Sequence, residues 1–167
     1  MKKLAMPVAV SLMVILAGCS SVSVTQDYDP DFDFTSFKTF NVAPYESKMG
    51  MDQITYGEIK DAITKVLTAK GMSESNDKSD FVVTMATAKQ QQTDIEQTGP
   101  GWWGTDVYQY EEGTLLVDFF NAKDQKLVWR GTAKGELDDN PSQQEKLANI
   151  ESTITQMLAP FPPKSKS

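Results

Sequence analysis

Cys19, the only cysteine in the chain, is the residue that most strongly indicates a covalent modification. It closes a pattern of apolar and small side chains followed by a thiol: Leu16, Ala17, Gly18 and Cys19. This pattern is typical of a bacterial lipobox, at which a signal peptide is removed and the thiolate, the nucleophilic form of cysteine, receives lipid. The sequence therefore predicts a lipid-modified Cys19 at the start of the mature protein.

The residues ahead of Cys19 have the organisation of an export signal. Lys2 and Lys3 give a positive start, and residues 4–16 form an almost uninterrupted apolar run. That run is shorter than the roughly 20 apolar residues that span a bilayer. We interpret residues 1–18 as a lipoprotein signal peptide. The alternative is an ordinary cleaved signal with an unrelated cysteine after it, and the coincidence of four features argues against that.

The residues after Cys19 bear on the membrane that would hold the protein. In enteric-type bacteria an aspartate directly after the modified cysteine retains a lipoprotein in the inner membrane, whereas Ser20 and Ser21 follow here. We therefore expect a lipid anchor in the outer membrane, with the protein facing the periplasm. Several acyl chains hold a protein stably where one does not. Residues 19–26 are predicted to be the lipidated N-terminus and a tether of roughly 25 Å.

Composition excludes several classes of function. Removing residues 1–18 takes away two lysines and no acidic residue, which changes the net charge from −7 to −9. An acidic domain is a poor ligand for nucleic acid, whose binding depends on Lys and Arg. The chain contains no histidine, which excludes Ser-His-Asp and Cys-His catalysis and histidine-ligated metals. We expect no cofactor and no metal.

The remaining sequence predicts a single α+β domain over residues 27–163, followed by a flexible tail, 164–167. Residues 51–70 and the segment after Pro141 carry apolar stripes at helical spacing, the second with Leu147 in its stripe and with Asp139 or Asn140 as its cap. Other segments alternate as strands do, and residues 107–120 and 126–137 form the arms of a hairpin. The predicted architecture is an antiparallel sheet with two amphipathic helices on one face. Residues 90–105 are predicted to be a polar loop.

Several stretches resemble the DUF4136 family of bacterial envelope lipoproteins. The resemblance is carried by residues 113–120, by 127–133 with its Val-Trp-Arg-Gly core, by 27–29, by 37–40, by 80–83 and by the end of the chain at 161–163. It covers most of residues 22–163. It implies a lipid-anchored envelope domain of unassigned activity, and it offers no catalytic residues to carry over.

Four alternating aspartates at first indicate calcium: Asp27, Asp29, Asp31 and Asp33. A calcium-binding EF-hand loop needs glycine at its sixth position and glutamate at its twelfth. Counted from Asp27, those positions hold Phe32 and Lys38. A turn with solvated acidic side chains is the better interpretation, and weak surface binding of calcium stays open.

Three further residues are candidates for binding a partner: Trp102, Trp103 and Arg130. The two tryptophans lie among glycines, so they either present aromatic anchors to a protein, a glycan or a membrane, or fold back over the sheet edge. Arg130 either pairs with a carboxylate such as Asp118 on the neighbouring strand or lines a groove for an anion. The adjacent acids Glu111 and Glu112, like Asp138 and Asp139, point to opposite faces if they lie in strands.

Two hypotheses follow. The first is a non-enzymatic lipoprotein that binds an envelope protein or glycan, through its sheet face or through Trp102 and Trp103. The second is a small ligand-binding protein or hydrolase that uses carboxylates and Arg130 in a groove. The oligomeric state does not follow from the sequence.

Overall fold

The computed structural model describes residues 22–97, 105–138 and 140–163, and the side chains within these ranges except those of 94–97 and 105–108. Residues 16–19 of the lipobox, Trp102, Trp103 and Asp139 lie outside the described residues, as does the predicted tail 164–167.

In the described part of the chain, six strands form one mixed sheet in the order β1-β6-β5-β4-β2-β3. They are β1 (Ser23–Tyr28), β2 (Thr39–Val42), β3 (Ser73–Glu74), β4 (Phe81–Gln97), β5 (Thr105–Asn121) and β6 (Leu127–Glu136). The neighbours β1, β6, β5 and β4 run antiparallel, whereas β2 runs parallel to β3 and β4. The predicted single-domain α+β fold is confirmed. The sheet is not wholly antiparallel, because a helix crosses over between β2 and β4 and returns the chain to the same end.

The α-helices among the described residues are α1 (Gln53–Ala69) and α2 (Gln143–Leu158). Helix α1 begins at Asp52, whose carboxylate accepts hydrogen bonds from two backbone amides of the first turn. Helix α2 begins at Ser142, which exchanges hydrogen bonds with Glu145 in a capping box. The predicted cap at Asp139 or Asn140 was therefore wrong. Leu147, expected on the apolar stripe, is 41% exposed.

The core lies between the helices and one face of the sheet. Val117 and Phe119 of β5 point into it, and Trp129 of β6 is 1% exposed beneath Phe161. Alternation along each strand sends Arg130 to the opposite face, as predicted. No described helix packs on that second face, and no described helix is long and apolar enough to cross a membrane.

Two boundaries differ from the predictions. Strands β4 and β5 pair in register out to Gln97 and Thr105, so the predicted loop from residue 90 was wrong. Polar residues suit the outer part of this ribbon because no described helix packs on its faces to bury apolar side chains. Strand β1 begins at Ser23 and pairs with β6, so residues 23–26 of the predicted tether belong to the sheet.

Candidate ligand cleft

A cleft of about 710 Å³ opens between the sheet and the N-terminal halves of the two helices. Ile59 of α1 and Ile150 of α2 lie on its helix side, and Leu115 and Ala133 lie on its sheet side. Val22, directly before β1, also lines it. Pockets of this size and mainly apolar lining are typical of small-molecule sites. The cleft is thus the candidate binding site among the described residues.

The cleft exists because side chains on the helix-facing side of β5 and β6 become smaller along the sheet. Four successive cross-strand pairs face the helices, starting in the core: Phe119 with Trp129, Val117 with Gly131, Leu115 with Ala133, and Gly113 with Gly135. The aromatic pair fills the space beneath the helices. At the other end the small residues Ala133 and Gly135 line the cleft and leave that space open.

Gly113 makes room for a residue of the cleft wall. A β-carbon at position 113 would lie 2.6 Å from Cδ2 of Leu137, which also lines the cleft. Any larger residue at 113 would therefore displace Leu137.

Gly50 fixes the segment that leads into α1. Its φ is +77°, in the region that favours glycine, and a β-carbon there would lie 2.0 Å from the carbonyl oxygen of Thr87 in β4. The hydroxyl of Thr87 donates to the carbonyl of Gly50 at 2.7 Å. This close approach sets one end of the cleft.

The charged groups at the rim are largely paired. Lys89 Nζ lies 2.9 Å from Glu111 Oε2. Lys146 Nζ lies 2.9 Å from Glu58 Oε2 and donates to Thr55 Oγ1 at 2.8 Å.

Asp52, also at the rim, accepts from the amide and hydroxyl of Thr55, and these hydrogen bonds lower the pKa of Asp52 to about 2. A carboxylate with this pKa is ionised near neutral pH and does not serve there as a general acid.

Arg130 lies on the face of the sheet opposite the cleft. Its Nε and Nη2 donate to the two carboxylate oxygens of Asp118, each at 2.6 Å, and Asp118 is only 9% exposed. These hydrogen bonds raise the pKa of Arg130. Arg130 therefore pairs with Asp118, the first of the two predicted alternatives. The structure does not bring Arg130 together with the carboxylates at the rim of the cleft.

Of the four early aspartates, Asp27 lies in β1 opposite Arg130, whereas Asp29 and Asp33 accept hydrogen bonds in local turns. Asp29 Oδ1 accepts from the amide of Asp31 at 3.0 Å. Asp33 accepts from the amide and the hydroxyl of Thr35, and these bonds lower the pKa of Asp33. The described part of the chain contains no group of three or more acidic side chains placed to hold a metal ion.

The stretches that carried the resemblance have structural roles. The Asp80 carboxylate accepts from the amides of Lys38 and Thr39 at 2.9 and 2.8 Å and from the Thr39 hydroxyl at 2.9 Å, which ties β4 to the start of β2. Trp129 stacks near Phe119 in the core. These residues stabilise the fold, and none of them lines the cleft.

Sequence reasoning missed the cleft residues. The available signal was the recurrence of small residues at every second position of β6: Ala133 and Gly135 line the cleft, and Gly131 lies beneath Met157 next to it. Alternation places all three on one face, but only the paired strand and the helices show that this face is the floor of a cleft.

Comparison with known proteins locates the chain in a family and a fold. The family profile DUF4136, described as a domain of unknown function, matches residues 24–163. Comparison with curated proteins found no match.

Two solved structures share the fold. A PDZ domain protein from Parabacteroides distasonis ATCC 8503 is 14% identical with a TM-score of 0.62; the alignment covers 87% of this chain and 36% of that one. The PelC dodecamer from Paraburkholderia phytofirmans is 12% identical with a TM-score of 0.54, and the alignment covers 86% and 99% of the two chains. At these identities the likeness concerns the fold alone. This chain spans about a third of the Parabacteroides protein.

Proposed function

Since this chain belongs to the DUF4136 family, we propose that it is a lipid-anchored binding module on the periplasmic side of the outer membrane. The anchor is the lipobox cysteine, Cys19. The binding site is the cleft between the sheet and the helices.

The position of Val22 is the observation that carries this proposal. Val22 lines the cleft and lies three residues after Cys19. Three extended residues span about 11 Å at most. A lipid on Cys19 would therefore hold the cleft close to the bilayer surface, where it could receive a ligand from the membrane or its periplasmic face.

A binding role without catalysis fits the chemistry of the described residues. Arg130 is held by Asp118 on the far face, and Asp52 caps α1. Lys89 and Lys146 at the rim are paired with carboxylates. These charged groups stabilise the fold. The surface of the cleft is mainly apolar, and polar and charged side chains also line it, so that it could bind a ligand with both kinds of group.

Trp102 and Trp103 provide a second contact in this proposal, with an envelope protein or a glycan. The strand pairing supports it, because the Cα atoms of Gln97 and Thr105 are partners at the outer end of the β4–β5 ribbon. The two described residues that flank the tryptophan segment in the chain thus lie side by side at that tip. Paired aromatic residues are frequent anchors in interfaces.

The anchor is tested by Cys19→Ser in the full-length chain. We expect wild-type protein to incorporate a labelled fatty acid and to fractionate with outer membranes. Cys19→Ser should incorporate no label. Ser20→Asp should keep the label and move the protein to the inner membrane. Acylation of Cys19→Ser to the wild-type level would overturn the proposal.

The second contact is tested in cells by a photo-crosslinking residue at Trp102 or Trp103. We expect a discrete crosslinked product that a probe at the exposed Glu151, on α2, does not give. Identical products from both positions would contradict a role for the tryptophans.

A further inference from the structure

The apolar lining of the cleft is incompletely covered by the protein itself. Val22, Met51, Leu115 and Ile150 all line it, and all are only partly buried although they pack against the core. Covering such surface with an apolar ligand is favourable because it removes the surface from water. The cleft therefore fits a hydrocarbon chain better than a strongly polar molecule.

The charges at the rim of the cleft indicate what charge the head group of such a ligand can carry. Two of the three lysines at the cleft, Lys89 and Lys146, are paired with Glu111 and Glu58. Acidic side chains, among them Asp52 and Asp138, also line it. A free fatty acid or an anionic phospholipid would bring negative charge to this rim, whereas an acyl chain in ester or amide linkage would bring none.

A lipidated Cys19 would supply an acyl chain close to the cleft. Cys19 lies three residues before Val22, hence within about 11 Å of the cleft lining along the chain. In a lipidated cysteine the sulfur is bonded to a glycerol through a thioether, the glycerol carries acyl chains as esters, and the amino group carries one as an amide. None of these acyl chains is charged.

We propose that the cleft binds one of the acyl chains attached to Cys19 of the same molecule. This rests on the proposed lipidation and adds a site to it. An acyl chain that leaves the bilayer for the cleft exchanges one apolar environment for another, so the transfer does not expose it to water. The remaining acyl chains keep the protein anchored, since two chains suffice for stable attachment. An acyl chain bound in the cleft would keep the opening of the cleft oriented towards the membrane.

The experiment uses the full-length protein in membranes from cells fed a fatty acid that carries a photoreactive group and an alkyne. After irradiation, crosslinked peptides are mapped by mass spectrometry. We expect crosslinks on cleft residues such as Leu115 and Ile150. Their absence from acylated wild-type protein would overturn the inference.

Two variants block the cleft from opposite sides, Ile150→Trp on α2 and Ala133→Leu on β6. Each larger side chain itself covers apolar cleft surface, about 55 Å² of it, that the acyl chain would otherwise remove from water, and this should lower crosslinking in the cleft about tenfold. The matched control is Val66→Trp, because Val66 is also a partly buried helix residue but lies outside the cleft lining. It should crosslink as wild type does. Circular dichroism shows which variants fold, and equal crosslinking in a folded blocking variant and in the control would overturn the inference.

Cys19→Ser tests whether the acyl chain bound in the cleft is attached to Cys19 or belongs to a membrane lipid. In the same labelled membranes it should show no cleft crosslink, and a persisting crosslink would identify a membrane lipid as the occupant and overturn this inference. Label on Cys19 without a cleft crosslink refutes the inference and leaves the proposed function standing. Absence of label on wild-type Cys19 refutes both.

Discussion

Gly131 lies directly beneath Met157, so that a β-carbon at position 131 would lie 2.5 Å from both Cγ and Sδ of that methionine. The same β-carbon would lie 2.6 Å from the ring of Trp129. This contact brings α2 close to β6, next to the point where the cleft opens. The glycine of the Val-Trp-Arg-Gly stretch is therefore a packing requirement.

Gly131→Ala is expected to lower the free energy of unfolding by about 1–3 kcal/mol, as overpacking of a tight core does. Urea denaturation of the purified protein measures it. Gly57→Ala is the control, because a β-carbon at position 57 in α1 meets nothing within 4 Å. That change should raise stability by about 0.5–1 kcal/mol. Equal effects of the two substitutions would contradict this description of the core.

The Asp118–Arg130 pair should show measurable coupling in a double-mutant cycle. Both of its hydrogen bonds are 2.6 Å long, but the Arg130 side chain is 42% exposed, which weakens the pair by solvent screening. We expect Asp118→Ala to cost about 1–2 kcal/mol and the coupling with Arg130→Ala to be about 1 kcal/mol.

The exposed pair Lys65–Glu151 provides the reference for that cycle, with side chains 70% and 57% exposed. Its coupling should be no more than about 0.5 kcal/mol. If Asp118→Ala and Arg130→Ala proved additive, Arg130 would be available for another partner.

Removal of the Asp80 carboxylate should detach the start of β2. Asp80→Ala leaves the amides of Lys38 and Thr39 without their acceptor, at an expected cost of about 2–3 kcal/mol. Asp80→Asn keeps one acceptor oxygen and should cost less. Hydrogen exchange at these two amides measures the effect locally, and unchanged protection in Asp80→Ala would contradict it.

The cap of α1 predicts a pH dependence with a definite sign. Hydrogen bonds from Thr55 lower the pKa of Asp52 from 3.8 to about 2. A lowered carboxyl pKa stabilises the fold fully above the unfolded value, and the stabilisation is lost as the pH falls from about 4 through about 2.

Asp52→Asn keeps a capping side chain that does not titrate. The melting temperature of the wild type should exceed that of Asp52→Asn near pH 6, and the difference should vanish near pH 2. A difference that stays constant over this range would contradict the assigned pKa.

Sequence alone determined the features that depend on local periodicity. Alternation at residues 115–119, and between Trp129 and Arg130, decided which side chains share a face, and it therefore also favoured the pairing of Arg130 with Asp118. A register shift after Phe119 breaks the predicted alternation at the start of β6, where Val128 is buried and Leu127 is exposed. The spacing of apolar residues located α1 to within two residues at its start, between the predicted Met51 and the observed Gln53. Such patterns can be recognised in the sequence because residues on one face recur every two positions in a strand and about every 3.6 positions in a helix.

Tertiary structure decided what depends on residues far apart in the chain. The parallel direction of β2 follows from the crossover of α1, and the cleft floor needs Gly113 of β5 opposite Gly135 of β6. Neither position is unusual in its own strand. The cleft forms only because the small residues of two strands are brought side by side beneath two helices, and the place of Val22 in its lining follows from the pairing of β1 at the edge of the same sheet.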